Sequence, residues 1–568
     1  MANPSILGLF NERRRQIMKK TFANIRTLAA VLMTSAALVA CNKEYNATAE
    51  QTPQVYTLTI QAGMNDGTQT KALEFEGTKL VAKWANGETV DVRFGSTLLG
   101  TLTVSNVSAD GKTCTLSGTL TGDIRREDKL YFYYNYSGTL VNESQTGTLS
   151  STAGSDYAMT PVTVKSVEGG NITLESEPSF QTQVAVLKIT MQDALANKLN
   201  ATSLKITIGD KDFCTLSPNA TAYSENGDGV VYFALPSTHR VYTEGISSIG
   251  LDEAELAAAT VTFTATAGGN TYITTKTGYP FAAGKYYATT LTMAKVVRYS
   301  SEINVPAGDH WYIGGTSEYN NITIGEGATV TIDSFLQMQY ASIICSGNAT
   351  IILADETTTI IFGGRIKAGP EGTTLTIKGN TGELNIQDVN SSGAAIGASD
   401  GDACGNIVIE GGVITATGAM DAGIGASSNA KCGNITISGG TVTATGSNGA
   451  GIGASNAECG DITISGGTVT ATASDTGGAG IGSGYSDTGW CGNITISGGI
   501  VTATGGFMSA GIGTGAENGC GDITIKSTVT HVIATKGSGA SASIGAANDE
   551  DAICGTVTIE AGANVTQN

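Results

Sequence analysis

The sequence is short of positive charge. Lys and Arg number 31 against 50 Asp and Glu, giving a formal net charge of −19 and a pI near 4.6. Nucleic-acid phosphates demand clustered Lys and Arg, so a nucleic-acid partner is excluded. Electrostatic adsorption to an anionic membrane is disfavoured for the same reason. Aromatic residues make up only 6%, whereas Gly reaches 76 of 568. That balance suits a chain of stacked turns more than a compact enzyme. The three histidines, His239, His310 and His531, are far apart. No Ser/His/Asp or Cys/His arrangement is visible. Arg365 is the last arginine, and after Gly401 the lysines are only Lys431, Lys526 and Lys536. Sites that cleave polysaccharides need clustered carboxylates plus a cation to steady the developing anion. Here Asp and Glu lie mainly in variable loops. Catalytic residues, metals and cofactors are therefore expected to be none. The apolar run at 28–40 falls short of the ~20 residues that span a bilayer as a helix.

What is abundant is repetition. Residues 432–446 read Cys-Gly-Asn-Ile-Thr-Ile-Ser-Gly-Gly-Thr-Val-Thr-Ala-Thr-Gly, followed after a spacer by Ala450-Gly451-Ile452-Gly453. The phrase recurs, marked by Cys404, Cys432, Cys459, Cys491, Cys520 and Cys554. These stand 28, 27, 32, 29 and 34 residues apart by subtraction, and the length changes fall in the loops. A fixed core with variable loops is the signature of a stacked repeat. Each copy predicts three short strands, in the second copy 434–437, 441–445 and 450–452. Period-two alternation puts Ile435, Ile437, Val442, Ala444, Ala450 and Ile452 inside, and Thr436, Thr441, Thr443 and Thr445 outside. Three strands and three glycine corners predict one coil of a parallel β-helix, with like residues stacked on like. The cysteine column reads first as structural core. Inter-coil disulfides and metal are the other readings, and metal is disfavoured because the spacing is a whole coil. The threonine rows read as β-propensity on a wet face, as a surface for a glycan or another regular lattice, or as an ice-binding face. Asp461 and Asp522 occupy the Asn434 position, so a corner role is expected of them. The loop 474–490 carries Asp475, Tyr485, Asp487 and Trp490. An apolar ring beside hydroxyl partners is what a sugar needs, so Tyr485, Asp487 and Trp490 are the candidate ligand residues. The competing reading is an aromatic that covers its own coil.

At the other end, Met18-Lys19-Lys20 opens a charged segment, residues 28–40 are apolar, and Leu38-Val39-Ala40-Cys41 closes it. This resembles a bacterial lipoprotein signal with its lipobox. The resemblance implies a start at Met18, cleavage before Cys41 and lipidation of Cys41. An ordinary secretory signal or a short anchor is the alternative. Without Cys41 the ten cysteines become nine, an odd number that speaks against a fully stapled scaffold.

Between 55 and 295 short alternating runs separated by turns predict β-sandwiches. Residues 193–199 and 251–258 are the only helical expectations. Trp84-Ala85-Asn86-Gly87-Glu88-Thr89-Val90-Asp91-Val92, Tyr131-Phe132-Tyr133-Tyr134, Asp156-Tyr157-Ala158-Met159, the run 186–191, Val231-Tyr232-Phe233-Ala234-Leu235-Pro236 and Ala283-Gly284-Lys285-Tyr286-Tyr287 stand in order. Together they resemble landmarks of the fimbrillin family, pilin-like surface lipoproteins that build type V pili. Glu88 replaces the usual Asp. The resemblance implies two transthyretin-like sandwiches and partners that add a strand to an open sheet edge. The family's Thr-Arg-Ala processing segment appears as Thr70-Lys71-Ala72, which makes Lys71 a candidate processing point, with Arg125-Arg126 as a dibasic alternative. No donor-type strand closes the chain, which suits a tip or stand-alone role over a stalk subunit.

The expected fold class is all-β: two transthyretin-like β-sandwich domains followed by a parallel β-helix. The expected divisions are a signal region at 1–41, a tether at 42–54, sandwiches at 55–193 and 194–296, irregular first coils at 303–400 with Trp311 and Tyr312 covering the first, and regular coils at 401–568. The expected role is a non-catalytic adhesin or fimbrial tip or accessory subunit. It would be lipid-anchored in a bacterial outer membrane, with pilus subunits and a glycan or host surface as partners. A polysaccharide-binding lipoprotein of nutrient capture is the second reading, and a β-helix lyase or hydrolase the third.

Overall fold

The computed structural model describes residues 54–64, 74–76, 79–81, 83–135, 144–149, 158–209, 211–216, 230–236, 253–387, 393–399, 401–474, 478–484, 489–547 and 552–568. Cys41, Lys71, Tyr485 and Asp487 lie outside them. The described residues are nearly all in strands and turns, and the helix among their named elements is the short Glu253–Ala258, whose Leu256 is buried. The expected helix at 193–199 is a turn instead. The Asp193 carboxylate accepts hydrogen bonds from the backbone N–H groups of Leu195 and Asn197, and such local bonding competes successfully with a helix.

The first sandwich has eight strands in the order Asn171–Leu174, Gln54–Met64, Ser179–Thr182, Ala158–Glu168, Lys129–Tyr134, Thr89–Phe94, Thr97–Ser105 and Thr113–Gly122. Trp84 centres its core, with Tyr134 and Phe180 each edge-on at 5.2 Å. The turn after Trp84 explains the landmark there. Gly87 has φ +88°, and Glu88 accepts from the Ala85 N–H at 2.9 Å and from the Tyr134 hydroxyl at 2.7 Å. A Glu therefore closes the turn that the family pattern gives to Asp.

The second sandwich faces a three-stranded sheet against a larger one. Val184–Gln192 is central to the first, antiparallel to Val230–Pro236 and parallel to Tyr286–Thr292. Ala185, Leu187, Ile189 and Met191 pack in one core with Leu204, Ile206, Phe233 and Phe263. This strand, which lies ahead of the expected division at 193/194, pairs and packs with strands of the second sandwich. Alternation identified the strand but not the sheet that receives it. Ser144–Gln145 also leaves the first sandwich and pairs with Lys211–Leu216. The buried Gln145 amide bonds both the N–H and the C=O of Ala234, at 2.8 and 2.7 Å.

No separate linker precedes the solenoid. Ala294–Tyr299 pairs antiparallel with Asn270–Thr277 on one side and parallel with His310–Glu318 on the other. The sandwich sheet therefore runs on into the coils, and it covers the first of them. Trp311 is half-buried there, its ring under the Lys295 ammonium at 4.6 Å and its N–H donated to Asp309. Trp311 packs against the solenoid core, and Val297 of the adjoining strand packs there with it.

The copies of Cys432, Cys459, Cys491 and Cys520 each carry four strands rather than the expected three. In the second copy these are Lys431–Cys432, Ile435–Ile437, Thr441–Gly446 and Ile452–Ala454. The cysteine has its own two-residue strand, in register from coil to coil. Ile435, Ile437, Val442, Ala444, Ala450 and Ile452 are all 0% exposed, and one apolar core runs from Tyr299 to Ile544. The corners are held by a side-chain ladder. The Oδ1 atoms of Asn406, Asn434, Asp461, Asn493 and Asp522 each accept the backbone N–H of the matching residue one coil on, at 2.7–2.9 Å. Neutral Asn separates the Asp charges. A glycine column, Gly397, Gly425, Gly453, Gly482 and Gly513, has φ between +131° and +138°. A Cβ on any of them would lie 1.9–2.1 Å from a carbonyl oxygen of the next coil.

Candidate functional site

Trp490 is positioned by register. It stands in an outward column with Lys431, Glu458, Gly519 and Ile553, one from each coil. Its ring lies over the next coil's Gly519, where a Cβ would come within 2.2 Å of Cε3 and Cζ3. A bare glycine thus gives the indole a flat seat, and Trp490 remains 45% exposed. Glu458, the preceding member of the column, has an exposed carboxylate 3.6 Å from Lys431. The ring therefore stands next to a charged pair, the combination that a hydroxylated ring can use.

A second aromatic group was not legible as a site in the sequence. Tyr319 and Tyr340 occupy the same corner of successive coils, their N–H groups donated to the carbonyls of Gln339 and Phe362. Both adopt a left-handed backbone, φ +59° and +51°, which is uncommon for a bulky side chain. Their rings stack 5.4 Å apart at 17°, and Phe362 meets Tyr340 edge-on at 6.1 Å. They are 71% and 41% exposed. Gly363 holds the same corner one coil on, and a Cβ there would be 2.6 Å from the Tyr340 ring. The device matches that at Trp490: an aromatic laid over the next coil's glycine. The signal in the sequence was an aromatic returning after 21 residues, Tyr319 to Tyr340, obscured by the uneven length of the first coils.

Three aspartates of the coils are otherwise engaged. Asp461 and Asp522 hold the corner ladder, as expected. Asp421, 1% exposed, accepts from the Gly393 N–H at 2.7 Å and from the Ser428 N–H and hydroxyl at 2.9 Å. Among the described residues no group of three or more His, Cys, Asp or Glu is arranged to hold a metal ion. No described helix is long and apolar enough to cross a membrane. The threonine rows are in register, Thr415 with Thr443, Thr470 and Thr502, and Thr417 with Thr445, Thr472 and Thr504, and they are half-buried. Arg125 and Arg126 lie in an exposed turn closed by the Asp128 carboxylate on the Arg125 N–H.

A family model described as "Beta helix repeat" matches residues 407–428, 435–456, 462–485 and 494–516. The C-terminal coils are β-helix repeats. The match begins within the coil of Cys404 and ends before Cys520, so the β-helix repeats recognised this way are the most regular ones. Comparison with curated proteins finds no match. Among solved structures, the chain is similar to a fimbrial protein from Bacteroides ovatus at 11% identity, covering 42% of this chain and 49% of that one, TM-score 0.21. The match spans about half the length of that protein. The tip fimbrial protein Mfa3 from Porphyromonas gingivalis, with C-terminal truncation, is similar at 11% identity over 42% of this chain and 95% of that one, TM-score 0.23. The shaft pilin SpaA of Lactobacillus rhamnosus is similar at 14% identity over 43% and 100%, TM-score 0.17.

Proposed function

We propose that the chain is an exported surface protein whose β-helix is a non-catalytic adhesive module for pyranose-containing glycans. The observation that carries this reading is the repeated platform, an exposed aromatic ring seated on the bare glycine of the next coil, at Trp490 over Gly519 and at Tyr340 beside Gly363. A flat ring on a rigid base presents an apolar face without losing side-chain freedom on binding, which favours sugar stacking. The lipobox at Cys41 supports a lipid anchor in an outer membrane. The ordered fimbrillin-like landmarks support attachment through two sandwiches to pilus subunits as a tip or accessory protein, with Lys71 or Arg125-Arg126 as processing points. Use of the Asp461 and Asp522 carboxylates in corner bonding supports a role without catalysis.

The test is a glycan array with the full chain beside Trp490→Ala and Tyr340→Ala. Binding that falls at least ~10-fold in either variant, the loss of one stacking contact, is the expected result. Absence of binding to every pyranose-containing glycan overturns the reading. Preference for host-type glycans favours adhesion, and preference for plant or microbial polysaccharides favours nutrient capture, which the same platforms would serve. Shortened products from a polysaccharide panel would establish the lyase or hydrolase reading.

A further inference from the structure

The cysteine column is more than small apolar filler. Cys404, Cys432, Cys459, Cys491, Cys520 and Cys554 are in register on adjacent parallel strands. All are free thiols, and all but the half-buried Cys554 are buried. Neighbouring strands place Cα atoms ~4.8 Å apart, inside the ~4.4–6.8 Å range that a disulfide spans. The thiols of Cys404 and Cys432 are 3.1 Å apart, and so are those of Cys520 and Cys554. Cys432, Cys459, Cys491 and Cys520 likewise face one another strand to strand. Six thiols thus stand in one register, and the neighbour pairing that consumes all of them begins at Cys404–Cys432 and ends at Cys520–Cys554.

We infer that the column is a set of latent inter-coil staples, closing as Cys404–Cys432, Cys459–Cys491 and Cys520–Cys554. The chemistry is thiol–disulfide exchange with a low-molecular-weight or protein disulfide. A cysteine thiolate attacks the donor's S–S bond and releases one donor thiol. The neighbouring cysteine thiolate then displaces the second donor thiol from the mixed disulfide, so each staple reduces one donor disulfide to two thiols. Burial places this step during folding, before the coils close. Afterwards, burial of Cys404, Cys432, Cys459, Cys491 and Cys520 shields an unstapled column from later attack. The competing role is a weak S–H donor, since the thiols of Cys432, Cys459, Cys491 and Cys554 lie 3.8–4.0 Å from glycine carbonyls of the preceding coil.

The full chain is refolded with oxidised and reduced glutathione, then denatured, alkylated without reductant and mapped by mass spectrometry. The expected result is three linked peptide pairs with the pairing above, and alkylated Cys41, Cys114, Cys214 and Cys345. Reduction should then speed amide exchange in the coil of Cys554 by at least ~10-fold, since an edge coil opens locally and a staple restricts that opening. A Cys520→Ala chain keeps a small apolar residue in the column and should leave Cys554 alkylated with the other two pairs intact. Six alkylated thiols overturn the inference in favour of the S–H donor role. Linkage of Cys432 to Cys459 and of Cys491 to Cys520 overturns the assigned pairing.

Discussion

Adding one carbon at Gly453 should damage the solenoid at least as much as removing three from Ile452. Gly453 has φ +135°, a backbone that an alanine adopts only under strain of about 1–3 kcal/mol. Its Cβ would lie 2.0 Å from the Gly482 carbonyl oxygen, 1.4 Å short of the 3.4 Å at which ordinary contact begins. The obstacle is backbone, so no rotamer relieves it. The two coils must part, and the bonds from Gly451 N–H to Ala479 O and from Ile452 N–H to Gly480 O stretch with them. Losing two buried backbone bonds costs about 1–3 kcal/mol each. Together these terms give roughly 3–9 kcal/mol for Gly453→Ala, against about 2–5 kcal/mol for Ile452→Ala, a buried large-to-small change. Coils open locally rather than all at once, so amide exchange is the assay. Peptides covering 441–473 and 478–496 should exchange about a thousand-fold faster in Gly453→Ala, the equivalent of about 4 kcal/mol. Exchange within three-fold of the parent, alongside a clear effect of Ile452→Ala, would refute the argument that this column is packed backbone to backbone.

Other consequences follow from the same contacts. Gln145→Ala leaves both polar groups of Ala234 without their side-chain partner in a buried place, and should cost about 2–4 kcal/mol in urea unfolding of the sandwiches. Asp421→Ala removes the acceptor for three donors and should cost about 2–4 kcal/mol, read as faster exchange at Gly393 and Ser428. Burial of His310 lowers its pKa, against the weaker opposing effect of Asp309. Its neutral form, stacked on Tyr312 and bonded to the Thr331 hydroxyl, is therefore the one the fold favours. That contribution is present above the unfolded value of ~6.5 and is lost as pH falls through the lowered folded value. His310→Gln should show a smaller drop in melting temperature between pH 7.5 and pH 5 than the parent, and an equal drop would contradict the assignment.

The repeat was legible because its core positions obey a single rule. Ile435, Ile437, Val442, Ala444 and Ile452 and their counterparts are buried in every copy from Cys404 to Cys520, and each of these coils reports the same alternation. Trp490 was legible as a surface aromatic because so few aromatics accompany it. What escaped depends on which strand meets which. The run 184–192 reads as a strand under any assignment, and only Phe233 and Tyr286 on its neighbours show which sandwich it completes. The seat beneath Trp490 depends on Gly519, 29 residues away, and the Tyr319–Tyr340 stack on coils whose lengths differ. Likewise the merger of sandwich and solenoid rests on Ala294–Tyr299 having two partners, which alternation within one strand cannot express.

The in-register copies also bear on how such a chain changes between generations. Because Ile435, Ile462, Ile494 and Ile523 are interchangeable neighbours, exchange between the DNA segments that encode two copies deletes or duplicates a whole coil and restores the same ladder across the joint. Each event alters the reach of the solenoid by a step of about 4.8 Å. The sandwiches are untouched, and loops that carry an aromatic platform, such as the one ending at Trp490, can be gained, lost or moved along the stack as cassettes.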